Sequence, residues 1–181
     1  MTEENKVAIG CLSCYNDGRL TYKRMNADEV EAAWKGDGLA ETVCDQPRTI
    51  YHNPEEWEVQ DYDGPISRLS LGGWPNIENL ILMMRLMDDD PDKYVPACSA
   101  AVDHYGGSPT VEQVEEIAEM MYCVGDQSLE DYFMEQAYDN GDIKNGDYWE
   151  SYINWEDYAR EQMYHYIEFN YDGNTYLLPH H

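Results

Sequence analysis

Cys11-Leu12-Ser13-Cys14 is the most compact chemical motif in the chain. Two thiols at this spacing can serve as a redox pair or as half of a zinc site. The motif lacks a second CxxC or an HxxxH. It falls where the apolar run Val7–Leu12 enters a turn, not at a helix N-terminus. It is therefore read as ordinary cysteines in and beside a strand, and no metal and no cofactor is expected. The five cysteines (Cys11, Cys14, Cys44, Cys98, Cys123) have no regular spacing, which argues against a disulfide framework and agrees with a reducing compartment. His52, His104 and His165 have no partners at fixed spacing and read as structural or surface histidines. Asp61-Tyr62-Asp63-Gly64 opens like a calcium loop, but its glycine comes at the fourth position instead of the sixth. Paired carboxylates could do acid–base chemistry, as in glycosidases. With this many acids a pair arises by chance, and no GxSxG, HExxH or phosphate-cradling loop accompanies them. The chain is expected not to be an enzyme, with no catalytic residue.

Charge is the dominant signal. There are 37 acids against 11 bases, a net charge of −26 in 181 residues. Strong acidity with few aromatics would mean disorder, but 16 Tyr, 5 Trp and 2 Phe supply material for packed cores. Residues 94–181 hold 18 acids and only Lys144 and Arg160 as bases. Acids without basic neighbours are open to cations from another molecule.

The elements that would carry these acids are legible from patterning. Val7–Leu12 reads as a strand, Asn16-Asp17-Gly18 as a turn, and Leu20–Met25 as the returning strand of a hairpin. Asn26 with Glu29 opens a helix that reaches Trp34 and stops at Gly36-Asp37-Gly38. Trp57–Tyr62 alternates as a third strand. Ile77 to Met87 is helical, halted by Asp88-Asp89-Asp90-Pro91. A second helix covers Tyr94 to Tyr105, with a possible break at Pro96, and Gly106-Gly107 marks the next boundary. Thr110 and Gln113 start a helix with Val111, Val114 and Ile117 on one face. Ser128 and Asn154 cap two more, and a hairpin around Asp172-Gly173-Asn174 closes the chain. The expected fold class is α+β, in three segments: an α+β unit over 1–65, a helical middle over 66–107, and the most acidic, α+β part over 108–181.

Spacing then suggests a use for the charge. Residues three or four apart on a helix rise about 4.5–6 Å, close to the separation of neighbouring phosphates on one nucleic-acid strand. Glu112, Glu115, Glu116 and Glu119 form such a stripe. Duplex DNA carries one charge per ~1.7 Å of axis, so this net charge matches ~44 Å of duplex, roughly thirteen base pairs. A face that is merely solvated is the plain alternative; the scale of unpaired charge and the tyrosine content, suited to interfaces, weigh against it. The expected phosphate-mimicking surface comprises Asp88, Asp89, Asp90, Glu112, Glu115, Glu116, Glu119, Glu130, Asp131, Glu135, Asp139, Asp142, Asp147, Glu150, Glu156 and Asp157.

Tyr15–Gly18, Val59–Gly64, Ser128–Phe133, Tyr152–Glu161 and Asn174–Leu177, taken in this order, resemble the ArdA antirestriction proteins. Tyr15-Asn16-Asp17-Gly18 looks like the family's YNxG turn, and Val59-Gln60-Asp61-Tyr62-Asp63-Gly64 is similar to its (F/V)xDYE(G) segment. Ser128–Phe133 and Tyr152–Glu161 resemble its closing helices, and Asn174-Thr175-Tyr176-Leu177 its final short strand. The chain departs from the family where many members carry GxW, reading Leu20–Met25 instead, and in the loop Ile143–Asp147. The lack of any apolar run long enough for a membrane span, and of a basic-then-apolar start, leads to the expectation of a cytoplasmic location. The resemblance implies an elongated protein of three small domains that dimerises and imitates bent B-form DNA. Its expected partner is the DNA-binding groove of a type I restriction–modification enzyme, in its methyltransferase core. It would bind no nucleic acid or membrane itself and would protect mobile or phage DNA. The alternative partner is another DNA-binding defence or nucleoid protein.

Overall fold

The computed structural model describes residues 4–46, 49, 52, 56–69, 71–106, 108–144, 146 and 148–180, with Trp149 described by its backbone alone. The expected surface residue Asp147 and the expected boundary residue Gly107 lie outside this set. The fold is mixed helix and strand in small sheets, the α+β class read from the sequence. Contacts divide the chain into two compact units, Met1–Ala118 and Glu119–His181. The stretches 1–65 and 66–107 both fall within the first unit.

In the first unit, β1 (Lys6–Cys11) is the middle strand of an antiparallel sheet. Its near-continuous apolar run suits a strand covered on both faces, and Val7, Ala8, Ile9 and Cys11 are buried. The chain then differs from the expected direct hairpin. A five-residue helix, α1 (Leu12–Asn16), intervenes before the edge strand β2 (Tyr22–Met25). The helix ends where Gly18 takes φ +77°, a conformation glycine adopts at little cost. Cys11 is consequently the residue that caps α1 and Cys14 lies inside it; the placement of this motif away from a helix N-terminus is corrected.

Helix α2 (Ala27–Lys35) follows the expected cap. Glu29 N donates to Asn26 Oδ1 and Asn26 N to Glu29 Oε2, each at 3.1 Å. Such reciprocal capping satisfies two backbone donors that helix geometry leaves without partners. The glycines after it, read as a stop, lead straight into a short helix the sequence did not announce, α3 (Leu39–Val43), which buries Leu39, Ala40 and Val43. The other edge strand is β3 (Trp57–Asp63), where Val59 pairs with Ile9.

Helix α4 (Ile77–Asp89) buries Leu80, Ile81, Met83, Met84 and Met87. Each such side chain contributes about 1.5–3 kcal/mol on burial. Its Arg85 reaches Asp28 and Glu31 of α2, at 2.6 Å each. Asp90 ends α4 and also caps α5 (Pro91–Tyr105), accepting from Lys93 N. Pro96 does not break α5; it forgoes one backbone bond near the helix start while its ring is buried. Helix α6 (Val111–Met120) begins at the Thr110–Gln113 box read from the sequence. Asn79 of α4 pins that start, accepting from Val111 N at 2.9 Å and donating to Pro109 O at 2.8 Å.

The second unit has its own sheet. Strand β4 (Tyr122–Gly125) was not foreseen, since its four residues bury only Val124. Then come α7 (Leu129–Asp139) and α8 (Trp155–Gln162), capped by Ser128 and Asn154 as expected. The expected closing hairpin is β5 (Tyr166–Tyr171) and β6 (Asn174–Pro179). Asp172 and Gly173 turn it with φ of 50° and 83°, the left-handed pair that suits tight antiparallel hairpins. Strand order is β4-β6-β5, so β6 is central. Val124, Phe133, Ala159 and Leu177 form the core, with Leu129, Tyr132, Tyr158, Met163 and Tyr166 packed around it.

Candidate functional site

The acidic positions sit on helix faces that patterning forces outward. On α6, Val111, Val114 and Ile117 are buried, so the glutamates between them cannot be. Glu112, Glu115, Glu116 and Glu119 are all exposed. On α7, Phe133 and Ala137 face the core, and Asp131, Glu135 and Asp139 recur every fourth residue on exposed positions, with Glu130 beside them. Asp88, Asp89, Asp90, Asp142 and Glu156 are exposed too, whereas Glu150 and Asp157 are half-buried.

Ion pairing separates the two parts of the chain. Cations of residues 1–93 are largely spent on neighbours. Lys6 pairs with Glu4 at 2.9 Å, Arg24 with Asp61 at 3.0 Å and also with Asp63, and Lys35 with Glu31. Among the described residues of the expected surface, only Asp157 has a salt-bridge partner, Arg160 one turn on. Two other carboxyls are held firmly in the charged form. The Glu112 carboxyl lies below its ordinary range because its own backbone N–H and the Thr110 hydroxyl donate to it. Glu150 is lowered by the Tyr138 hydroxyl and by Gly146 N–H.

Not every expected surface acid is free for a partner. Asn5 is fully buried; its backbone N–H and its side-chain amide both donate to Asp88 Oδ1, at 3.1 and 2.7 Å. Its own Oδ1 accepts from Ile66 N at 2.7 Å. Asp90 is engaged as a helix cap, and Glu116 accepts from the Tyr105 hydroxyl at 3.1 Å. No periodicity announces Asn5, because its partners lie 61 and 83 positions away.

A second cluster was not read from the sequence. Cys11, Cys14, Cys44 and His52 bring their ligand atoms within 4.8 Å of one another. Sγ of Cys14 is 3.5 Å from Sγ of Cys44 and 3.6 Å from His52 Nε2, and Cys44 Sγ lies 3.0 Å from that nitrogen. His52 is buried, and its Nδ1 contacts Asp17 Oδ2 at 2.9 Å. Burial pushes the Cys11 thiol up to about 11 and raises that of Cys44. The only sequence signal for this group was the CxxC; Cys44 and His52 stand eight apart in a stretch with no regular pattern.

The carboxylate rows on α6 and α7 have no salt-bridge partner among the described residues of this acidic α+β chain. The family model for ArdA, the antirestriction proteins, matches residues 7–175, and the chain belongs to that family. Comparison with curated proteins gives no match. Among the described residues no helix is long and apolar enough to cross a membrane.

Proposed function

We infer that this chain inhibits a type I restriction–modification enzyme by offering carboxylates where that enzyme's DNA groove expects phosphates. It would act as a homodimer in the bacterial cytoplasm and protect mobile or phage DNA. The observation that carries this reading is the pair of carboxylate rows on α6 and α7, exposed, at helical pitch, and with no salt-bridge partner among the described residues. The rows are fixed by buried apolar faces, so little side-chain and backbone order would have to be acquired on binding. A protein that gains affinity by neutralising phosphates can satisfy the same Lys and Arg groups on these rows. The work is binding, and no residue is assigned a chemical step.

Competition tests the reading. Duplex DNA should displace the chain from the enzyme's methyltransferase core, and the affinity should fall steeply between low and physiological salt. Simultaneous binding of chain and DNA, or a flat salt response, would overturn it.

A further inference from the structure

We propose that Cys11, Cys14, Cys44 and His52 form a structural zinc site. Four donors of soft and borderline type, three sulfurs and one imidazole nitrogen, converge on one point from three separate stretches of chain. In a tetrahedral zinc centre with Zn–S of about 2.3 Å and Zn–N of about 2.0–2.1 Å, neighbouring ligand atoms stand roughly 3.5–3.8 Å apart. The separations of 3.5 and 3.6 Å about Cys14 meet that geometry, and 3.0 Å between Cys44 and His52 needs only a small opening. The 3.5 Å between Cys14 Sγ and Cys44 Sγ also exceeds a disulfide's S–S length by more than an ångström, and all three cysteines are free.

The surroundings are those of a metal centre and not of a chance group of thiols. His52 directs Nε2 at the sulfurs while Nδ1 meets the Asp17 carboxylate. That contact selects the tautomer with the proton on Nδ1 and leaves the Nε2 lone pair to a metal, the carboxylate–histidine–zinc arrangement. Sulfur ligands carry N–H donors: Gln46 N approaches Cys44 Sγ at 3.5 Å, and the Cys14 backbone N–H serves Cys11. Three thiolates with one Zn²⁺ leave one negative charge. Arg19 stands beside it, 4.0 Å from Cys14 Sγ and 3.5 Å from both Asp17 and Asp45. Four protein ligands fill a tetrahedron, so the centre would be closed and structural, with no position for substrate.

The site would do something the rest of the unit does not. Cys11 and Cys14 join β1 to α1, Cys44 follows α3, and His52 belongs to the connection from α3 to β3. The described residues of that connection, 44–46, 49, 52 and 56, show no helix or strand. A metal would fasten it to the central strand, and the binding free energy would become folding free energy.

The test uses the untagged full-length chain, because an added histidine tag would bind metal itself. Elemental analysis after gel filtration should find one zinc per chain, resistant to a weak chelator. Co²⁺ added to the metal-free protein should give intense visible bands of a tetrahedral ion with sulfur-to-cobalt charge transfer, bleached by one equivalent of Zn²⁺. C14S and C44S should abolish the charge-transfer band. H52C should keep one tightly held metal with altered bands, which a merely packed histidine would not do. A pale, octahedral Co²⁺ spectrum unchanged by C14S/C44S would mean adventitious ions on the acidic surface and would overturn the proposal. So would wild-type protein with no zinc and a full count of reactive thiols, or one with Cys14 and Cys44 oxidised to a disulfide. Since the wild-type metal content and spectrum decide the matter, failure of one variant to fold leaves it decidable.

Discussion

Asn5 and Asp88, 83 positions apart in sequence, are joined twice through the single oxygen Oδ1 of Asp88, once from the Asn5 backbone and once from its amide. The buried asparagine has no other route to satisfy those donors among the described contacts, and its remaining oxygen holds Ile66. Asp88→Ala is therefore expected to lower stability by about 1–3 kcal/mol, the cost of orphaning buried donors. Asp89→Ala, one residue along and exposed without such bonds, should stay within roughly 0.5 kcal/mol. Urea midpoints of the two variants give the comparison; equal values would remove the structural role assigned to Asp88.

Inhibition should respond to the number of charges removed and not to any one of them. Exposed ion pairs contribute about 0–1 kcal/mol each. Glu115→Gln or Glu135→Gln alone should therefore shift affinity for the enzyme by less than about fivefold. Glu112→Gln, Glu115→Gln, Glu116→Gln, Glu119→Gln and Glu135→Gln together should abolish inhibition while circular dichroism shows the fold intact. If one carboxylate alone proved indispensable, a discrete site would replace the distributed surface.

Acid should expose the Glu31 contact. Lys35 and Arg85 hold this carboxyl at about 2, against an ordinary value of 4.5. A carboxyl lowered in the folded state stabilises the fold fully above its unfolded value and loses that contribution as pH falls through the folded one. The stability gap between wild type and Glu31→Gln should thus be widest near neutrality and close between pH 4.5 and about 2. Paired chemical denaturation series across that interval measure it; a gap constant with pH would mean that packing, not charge, sets the difference.

Phe133 is the largest side chain of the core shared by β4, α7, α8 and β6. Phe133→Ala should cost about 3–5 kcal/mol, transfer and cavity terms together. Trp155, which stacks edge-on against Tyr138 and Tyr158 of the same unit, reports the loss by fluorescence. Retention of the wild-type midpoint would show that the cavity had collapsed at no cost.

Local chemistry was legible in this chain and distant chemistry was not. The caps at Asn26, Ser128 and Asn154 and the box at Thr110 all lie where residue type alone placed them, because a cap is an interaction across three positions. The exposure of the α6 glutamates followed from the apolar residues between them. In contrast α3 lay hidden behind two glycines, and β4 was too short to show alternation. The Cys44 and His52 contacts, like those of Asn5, depend on residues that only the folded chain brings near. The division between neutralised and bare carboxylates was visible as a count of bases, but which acids Arg24 and Arg85 would claim was not.

The strand order of the second unit sets a timetable. Strands β4 and β5 each pair through backbone hydrogen bonds with β6 and not with each other, and β6 is the last of the three to leave the ribosome. Until it emerges, nothing joins the two flanking strands into a sheet, and Leu177 is missing from the hydrophobic centre. Unit two therefore cannot mature during translation ahead of its final strand, whereas unit one receives its middle strand first. In a chain still lacking β6, the acidic helices α7 and α8 would already be synthesised but would have no Leu177 to pack against.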